Sequence, residues 1–114
     1  MSKHDDTVRL RHMLDAARKA LVFVKGLTRT TLDNDEQLAL ALVRLLEVIG
    51  EAAKGVSEIT RSQYPQIPWK NIAGTRDRLI HGYFDVDLQI VWDIVTGDLP
   101  PLIAVLERAL SSNT

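Results

Sequence analysis

Residues 76–83, which read RDRLIHGY, bring together the side chains best suited to acid–base and phosphate chemistry. Two guanidinium groups, a carboxylate, an imidazole and a phenol lie within this short segment. Imidazole gains and loses protons near neutral pH, and guanidinium presents a planar fork of donors to phosphate oxygens. Cleavage of RNA by internal attack needs a base for the 2′-hydroxyl, an acid for the leaving 5′-oxygen and a cation beside the phosphorus. These residue types would suit that reaction.

Helical spacing limits how these groups could act together. On an ideal helix, Arg76 and His81 lie about 140° apart around the axis. They would not converge on one phosphate unless the helix bends, begins between them, or a second copy of the chain supplies the missing half. Asp77 and His81 share a face, so Asp77 can hold one imidazole nitrogen by a hydrogen bond. The alternative is an ordinary salt-bridged helix surface, with Leu79 and Ile80 in the core and Tyr83 packing at a helix end.

Neither thiol nor metal chemistry is indicated. The chain has no cysteine, which excludes disulfides and thiolate ligands. His4 lies at the start of the chain and His12 lies among arginines on the polar side of the first predicted helix, so a single histidine with scattered carboxylates remains near the motif. That set is not a metal-ligand cluster. We therefore predict no metal and no cofactor.

Two long helices are predicted in the first half of the chain. Apolar residues recur at three- and four-residue steps along residues 10–24 and again along 38–56. Asp5 and Asp6 suit the start of the first helix, and Gly26 suits its end. Asp33 and Glu36 have the spacing of a capping box for the second helix. Such a pair, joined by a short turn at 27–32, predicts antiparallel helices that need further helices to complete a core.

Shorter helices are predicted after residue 60. Two prolines three residues apart, Pro65 and Pro68, break the regular pattern, and Gly74-Thr75 begins a third helix that carries RDRLIHGY. A fourth helix is predicted from residue 88 to near Gly97, and residues 98–101 are predicted to open a last one. The expected fold is an all-α bundle of four to five helices forming a single domain over residues 1–114.

The charge is unevenly distributed along the chain. The net charge is −1, but residues 1–30 hold seven Lys and Arg against three Asp, and residues 61–83 hold four against one. This pattern fits either a basic face that binds a polyanion or ordinary solvent-exposed faces of amphipathic helices. The polar N-terminus does not resemble a signal peptide, and no stretch approaches about 20 apolar residues. We expect a soluble, cytoplasmic protein with no membrane association.

Arg76, His81 and Tyr83 form an R-x4-H-x-Y string that resembles the motif of HEPN-domain proteins, specifically the HepT-like ribonuclease toxins. The likeness extends to the segments on both sides of the motif, and it covers nearly the whole chain, from the first helix to about Leu110. The further matching strings are IGEAA at 49–53, Pro68-Trp69, RLIH at 78–81, VWDIV at 91–95 and DLP at 98–100.

The resemblance implies a HEPN-like bundle that forms a homodimer, with two motif copies facing each other across a cleft. It implies a metal-independent endoribonuclease, the toxin of a type VII-like toxin–antitoxin system, with Arg76 and His81 catalytic and Asp77 supporting. The implied partners are an RNA substrate and a minimal nucleotidyltransferase antitoxin that silences the toxin by transferring AMP to Tyr83. One alternative is a non-catalytic nucleotide- or RNA-binding HEPN module that works with a nucleotidyltransferase. Another is a plain helical dimerisation domain.

Three side chains near the motif keep open roles at this stage. Glu51, within the apolar stripe of the second helix, can cap the motif helix or face the cleft. Trp92 shares a stripe with Leu88 and Val95, which favours burial. Trp69 is suited either to burial or to stacking on a base.

Overall fold

The structure is a computed structural model that describes residues 3–81 and 85–111, with Lys3, His4 and His81 described through their backbones. Two long helices, α1 (Lys3–Val24) and α3 (Glu36–Gly55), pack against each other, and a short helix α2 (Arg29–Asn34) connects them. Gly26, at φ +76°, adopts the left-handed backbone that favours glycine after a helix end. The predicted long pair is confirmed, and the predicted turn at 27–32 is partly the helix α2.

The N-terminus of α3 is capped by Asp35. Its carboxylate accepts a hydrogen bond of 3.0 Å from the backbone N–H of Leu38. The predicted capping box was wrong in its first residue, because Asp33 lies inside α2, where it forms an ion pair of 3.1 Å with Arg29. A carboxylate already within a helix cannot supply the cap of the next one.

Three short helices follow, namely α4 (Glu58–Gln63), α5 (Trp69–Ala73) and α6 (Thr75–Leu79). Pro68 stands immediately before α5, so the predicted break in the helical pattern at Pro65 and Pro68 is confirmed. The short helices fill the space beside α3, and α5 and α6 both contact it. The all-α bundle is confirmed.

The helix that was predicted to carry all of RDRLIHGY ends at Leu79, so that part of the prediction was wrong. Ile80 has an extended backbone, with φ −113° and ψ 120°. Strand β1 (Ile80–His81) pairs antiparallel with β2 (Asp85–Val86), with Ile80 opposite Val86. The carbonyl of Leu79 accepts a hydrogen bond of 2.7 Å from the N–H of Asp87. This long-range bond replaces the intrahelical one that would have continued α6.

The C-terminal part of the chain is one continuous helix rather than the two predicted. Helix α7 (Leu88–Asp93) continues through a π-helical segment (Ile94–Asp98) into α8 (Leu99–Ser111). The N–H of Leu99 bonds to the carbonyl of Ile94, five residues back. Prolines at 100 and 101 have no N–H to donate and would clash with a regular helical turn before them. The wider π turn accommodates them, so Gly97 does not end the helix.

The helix Leu88–Ser111 is long and apolar enough, by length and composition alone, to cross a bilayer. The expectation that no segment reaches this threshold was therefore wrong. Core helices of soluble proteins pass the same test. One face of this helix lies in the hydrophobic core, through the buried residues Val91, Ile94, Val95, Leu99, Leu102, Leu106 and Leu110.

The core lies between α1, α3 and the C-terminal helix. Its largest fully buried side chains are Leu10, Met13, Leu32, Leu42, Leu79, Val91, Val95 and Leu106. Burial of each leucine contributes roughly 1.5–3 kcal/mol relative to exposure. Leu79 comes from the motif segment itself, which is thereby fastened to the interior. Trp92 is half-buried and packs against the core, in the direction that was predicted.

The buried carboxylate of Asp6 connects the start of α1 to the start of α4. Asp6 is 3% exposed. It accepts hydrogen bonds from the Ser57 N–H at 2.9 Å, from the Ser57 hydroxyl, and from the Thr60 hydroxyl at 2.6 Å. Burial alone would raise the pKa of Asp6, but these hydrogen bonds and the nearby Arg9 guanidinium lower the pKa below its ordinary value. Asp6 thus joins the first turn of α1 to the N-terminus of α4.

Candidate active site

The motif helix α6 is short and is anchored by its two buried residues. Thr75 and Leu79, four residues apart, share the inward face. The Thr75 hydroxyl donates a hydrogen bond of 3.3 Å to the carbonyl of Asn71 in α5. The three charged residues between them, Arg76, Asp77 and Arg78, are all exposed. The helix therefore presents its polar groups to solvent from a fixed base.

Arg76 contacts a carboxylate that the sequence analysis did not single out. Its Nε atom lies 3.8 Å from Oε2 of Glu47 in α3. The side chain of Arg76 is 71% exposed, and that of Glu47 is 24% exposed. A small pocket at this point is lined by Leu46, Glu47, Gly50, Glu51, Lys54, Ala73 and Arg76. The predicted catalytic arginine thus stands over the middle of the second long helix.

Gly50 allows the motif region to approach α3 this closely. A Cβ atom at position 50 would lie 2.9 Å from the carbonyl oxygen of Ile72 in α5. Real side chains do not tolerate that distance to a backbone atom, so a residue with a Cβ here would push the two helices apart. Because α6 follows α5 directly, this contact sets the height at which Arg76 sits above Glu47.

Arg76 and Arg78 serve different surfaces. Arg76 borders the small pocket on α3, whereas Arg78 borders a larger groove between α3, α5, α6 and the C-terminal helix. This groove has a volume of about 470 Å³ and a mainly aliphatic floor, with Arg108 also on its border. Two residues apart on a helix point about 200° apart, which accounts for the separation.

A second cleft, of about 490 Å³, lies between α1 and α3. Its lining is polar and of mixed charge, and Glu51 belongs both to this cleft and to the pocket at Arg76. The residues that line it are Asp5, Val8, Arg9, His12, Arg44, Val48, Glu51 and Ala52. His12, expected to be a surface residue, is exposed at this cleft.

The positions of the remaining predicted site residues alter the helical argument. His81 lies in β1 rather than in α6, so the 140° separation calculated for a continuous helix does not apply. For the same reason Asp77 and His81 do not share a helix face. The His81 side chain and Tyr83 lie outside the described residues. The roles of Arg76, Asp77, His81 and Tyr83 stay predictions.

Of the two roles left open for Glu51, its position favours the one at a cleft, because it borders both the cleft beside α1 and the pocket at Arg76. Glu51 is 70% exposed and pairs with Lys54 at 3.4 Å, one turn along the same helix. Glu47, one turn earlier, is the residue that faces the motif helix. Helical spacing could have indicated Glu47, because residues 47, 50 and 51 lie on one side of α3.

Trp69 acts as an anchor before the motif. Its indole N–H donates to the carbonyl of Tyr64 at 3.1 Å, and the ring packs against the core. The Arg61 guanidinium lies 6.0 Å from the ring centroid. Arg61 also donates at 3.1 Å to the carbonyls of Ala53 and Lys54, which lie at the end of α3. Of the two roles left open for Trp69, packing is the one that these contacts support.

Among the side chains that the structure describes, which do not include those of His4 and His81, no group of three or more histidine, cysteine or acidic residues is arranged to hold a metal ion. The polar groups at Arg76 comprise a guanidinium, carboxylates and an ammonium group. The guanidinium and the ammonium group can bind an anion, and proton transfer would fall to the predicted His81.

Comparisons with known proteins agree with this architecture. The family model described as Ribonuclease HepT-like matches residues 13–109. A candidate RNase of Methanocaldococcus jannaschii is 37% identical over 110 residues, which cover 96% of this chain and 91% of that protein. A candidate RNase of Caldanaerobacter subterraneus subsp. tengcongensis is 40% identical over 93 residues, 82% of this chain and 83% of that protein.

A further relative, from Thermococcus cleftensis, bears the name probable ribonuclease HepT. It is 40% identical over 74 residues, which are 65% of this chain and 67% of that protein. No solved structure matches the chain. With a family match that spans most of its length, including the Arg76–Tyr83 segment, the chain belongs to the HepT-like ribonuclease family.

Proposed function

We propose that the chain is a metal-independent endoribonuclease and the toxin of a type VII-like toxin–antitoxin system. The observation that carries the proposal is the family match over residues 13–109, which includes the R-x4-H-x-Y string. The names of the relatives contain RNase or ribonuclease. The exposure of Arg76 on an anchored helix is what a phosphate-binding arginine needs.

In the proposed reaction, the 2′-oxygen of a ribose attacks the adjacent phosphorus. A bond between that oxygen and phosphorus forms, the bond from phosphorus to the 5′-oxygen breaks, and a 2′,3′-cyclic phosphate results. The 2′-hydroxyl proton passes to a base and another proton passes to the leaving 5′-oxygen, and His81 is suited to this transfer. Arg76 neutralises charge on the phosphate oxygens. Asp77 supports the site.

The proposed active form is a homodimer whose two motif segments face one cleft. One chain supplies a single copy of each group, whereas the reaction needs both a base and an acid. Pairing of two subunits would supply two copies of His81 and of Arg76. The exposed position of Arg76 leaves its terminal amino groups accessible to such an arrangement.

The proposed control is AMP transfer to Tyr83 by a minimal nucleotidyltransferase antitoxin. AMP attached there would add a negative charge and a large base two residues from His81. It would compete with RNA for the same cationic surface. The proposed location of the toxin, its RNA substrate and its antitoxin is the cytoplasm.

RNA cleavage in the presence of EDTA tests the proposal. The purified chain is incubated with labelled RNA, and the fragments are analysed for 2′,3′-cyclic phosphate ends. Cleavage that persists in EDTA supports the proposed chemistry, whereas cleavage that EDTA abolishes contradicts the metal-free mechanism. Absence of cleavage together with retained nucleotide binding would favour the non-catalytic module.

A further inference from the structure

The Nε atom of Arg76 and a carboxylate oxygen of Glu47 approach to 3.8 Å, which joins the motif helix to α3. We propose that Glu47 is a positioning residue for RNA cleavage: it holds the Nε edge of the Arg76 guanidinium so that the two terminal amino groups face the scissile phosphate. This inference rests on the proposed ribonuclease function and adds a residue to its site.

The atoms involved make the contact suitable for orientation. Guanidinium has donors along its Nε side and at its outer end, and all lie in one plane. A carboxylate at Nε fixes the rotation of that plane and leaves the outer pair of donors free. Phosphate can then be bound end-on by the two terminal amino groups. A carboxylate at the outer end would instead compete with the phosphate.

The burial of the two partners also fits this role. Glu47 is 24% exposed and lies on a long helix packed into the core, so its carboxylate is the better fixed member of the pair. Arg76 is 71% exposed, and an exposed arginine otherwise samples many rotamers. Restricting those rotamers before substrate binds lowers the entropy lost in the reaction. An exposed ion pair contributes little to folding stability, so its value here is geometric.

Glu51 provides a matched control on the same helix. It carries the same charge, borders the same pocket and lies one turn from Glu47. Its carboxylate pairs with Lys54 rather than with Arg76. Replacing Glu51 with alanine therefore removes the same long-range charge without removing the contact to the motif arginine. Comparing the two variants separates the effect of the Glu47–Arg76 contact from the effect of losing one negative charge near the site.

The test compares kcat and KM for RNA cleavage by wild type, Glu47→Ala, Glu47→Gln and Glu51→Ala. We expect Glu47→Ala to lower kcat on the order of ten- to a hundred-fold, because the guanidinium loses its orientation. Both alanine variants remove a negative charge, so KM falls slightly in both. Glu47→Gln keeps the size and polarity of the side chain without its charge, so we expect a kcat between those of Glu47→Ala and wild type. Thermal unfolding would check that all variants fold.

A second measurement does not depend on turnover. The Nε–Hε signal of Arg76 is assigned in ¹⁵N-labelled protein by its loss in Arg76→Lys. We expect its exchange with water to become faster in Glu47→Ala but not in Glu51→Ala. Unchanged exchange in Glu47→Ala would show that the ion pair does not hold Arg76, and would overturn the inference.

The kinetic measurements can also overturn the inference. Equal losses of kcat in Glu47→Ala and Glu51→Ala would reduce the effect to charge alone and overturn the positioning role. A wild-type level of kcat in Glu47→Ala would do the same. Wild-type protein that cleaves no RNA would overturn the proposed function and with it the role of Glu47 in cleavage, while the exchange measurement would still report on the contact.

Discussion

Gly50 in α3 faces the backbone of Ile72 in α5 so closely that a Cβ at position 50 would stand 2.9 Å from the Ile72 carbonyl oxygen. This relationship between two residues outside the motif sets the distance between the second long helix and the motif helix. It connects a small residue in the middle of a helix to the place where Arg76 meets Glu47.

Substitution of Gly50 with alanine should therefore affect both stability and cleavage. The added methyl group meets a backbone atom that cannot rotate away, so we expect a loss of about 1–3 kcal/mol in the free energy of unfolding. RNA cleavage should fall further than stability alone explains, because Arg76 moves with α5 and α6. Urea unfolding and the initial rate of cleavage would measure the two effects.

Gly97 is the control for that substitution. It lies in the π-helical segment, and a Cβ at this position would meet no atom within 4 Å apart from its own chain neighbours and helix backbone. Alanine there is expected to leave cleavage unchanged and to keep or raise stability, by up to about 1 kcal/mol from helix propensity. If Gly50→Ala proved as stable and as active as Gly97→Ala, the close approach would not constrain the site.

Removal of either predicted catalytic side chain should abolish RNA cleavage and toxicity while the fold survives. Arg76 is exposed, so Arg76→Ala should change the free energy of unfolding by no more than about 0.5 kcal/mol. His81→Ala removes the proposed proton-transfer group. Growth on induction, cleavage in vitro and circular dichroism would be measured together. Retained cleavage by a well-folded His81→Ala protein would remove the catalytic assignment.

Arg78→Ala is the matched variant for Arg76→Ala. Both substitutions remove one exposed guanidinium from the same short helix, but Arg78 borders the large groove instead of the pocket at Glu47. We expect Arg78→Ala to keep measurable cleavage, with a rise in KM from the lost positive charge. Equal inactivation by both variants would mean that net charge, and not the location of Arg76, is what the reaction needs.

Tyr83→Phe tests the proposed site of modification. Co-expression with the partner nucleotidyltransferase should add AMP to the wild-type chain and leave Tyr83→Phe at its unmodified mass. Phenylalanine lacks the hydroxyl that would receive the AMP group, so toxicity should persist in the presence of the partner. Intact-mass spectrometry is the measurement. An AMP adduct on Tyr83→Phe would place the modification on another residue.

The stabilising contribution of Asp6 should be lost in acid, so the free energy of unfolding should fall at low pH. Its pKa is below the ordinary value of 3.8 in the folded chain, so the unfolded chain binds its proton first as pH falls. The stabilisation from Asp6 is fully present above that ordinary pKa and is lost as pH falls through the lower folded value. Unfolding measured from neutral pH down to about pH 3 would show this decline.

Asp6→Asn should remove part of that acid dependence. The amide leaves one of the Ser57 or Thr60 donors without an acceptor, so we expect a loss of about 1–3 kcal/mol at neutral pH. Asp15→Asn, at an exposed position on the same helix, is the control and should stay within about 0.5 kcal/mol of wild type. An acid-stability profile identical in wild type and Asp6→Asn would contradict the assignment to Asp6.

The long helices were predictable because their apolar stripes persist for many turns. Residues such as Leu10, Leu14, Leu42 and Leu46 recur at helical spacing and are buried as expected. The end of α6 was not predictable in that way. Ile80 could continue a helix, but the Asp87 N–H takes the Leu79 carbonyl from outside the helix. The spacing of apolar residues within α6 does not indicate that the Leu79 carbonyl bonds to Asp87, eight residues further along the chain.

The continuity of the C-terminal helix was not predictable for a related reason. Gly97 followed by Pro100 and Pro101 is typical of a helix end. The π-helical segment and the burial of Leu99 and Leu102 override this local signal, because packing against the core stabilises the continuous helix. Tertiary burial outweighed local propensity here.

The motif identified the candidate site in the sequence. The residues that support the site from elsewhere in the chain could not be identified in this way. Arg76 stood out by residue type and by resemblance, but Glu47 lies 29 positions earlier in the chain and has no distinctive neighbour. Asp6 was interpreted as a helix-start residue, and its bonds to Ser57 and Thr60 became visible only in three dimensions. Long-range polar contacts of this kind leave no periodic pattern in a single sequence.

Asp87 carries one more consequence of the way α6 ends. Its backbone N–H bonds to the Leu79 carbonyl, and its carboxylate accepts a hydrogen bond of 3.1 Å from the Ile90 N–H at the start of α7. One residue thus fastens the last turn of the motif helix to the first turn of the C-terminal helix. Local opening of either end would expose both amides together, so the Asp87 and Ile90 protons should exchange with deuterium as a single cooperative unit.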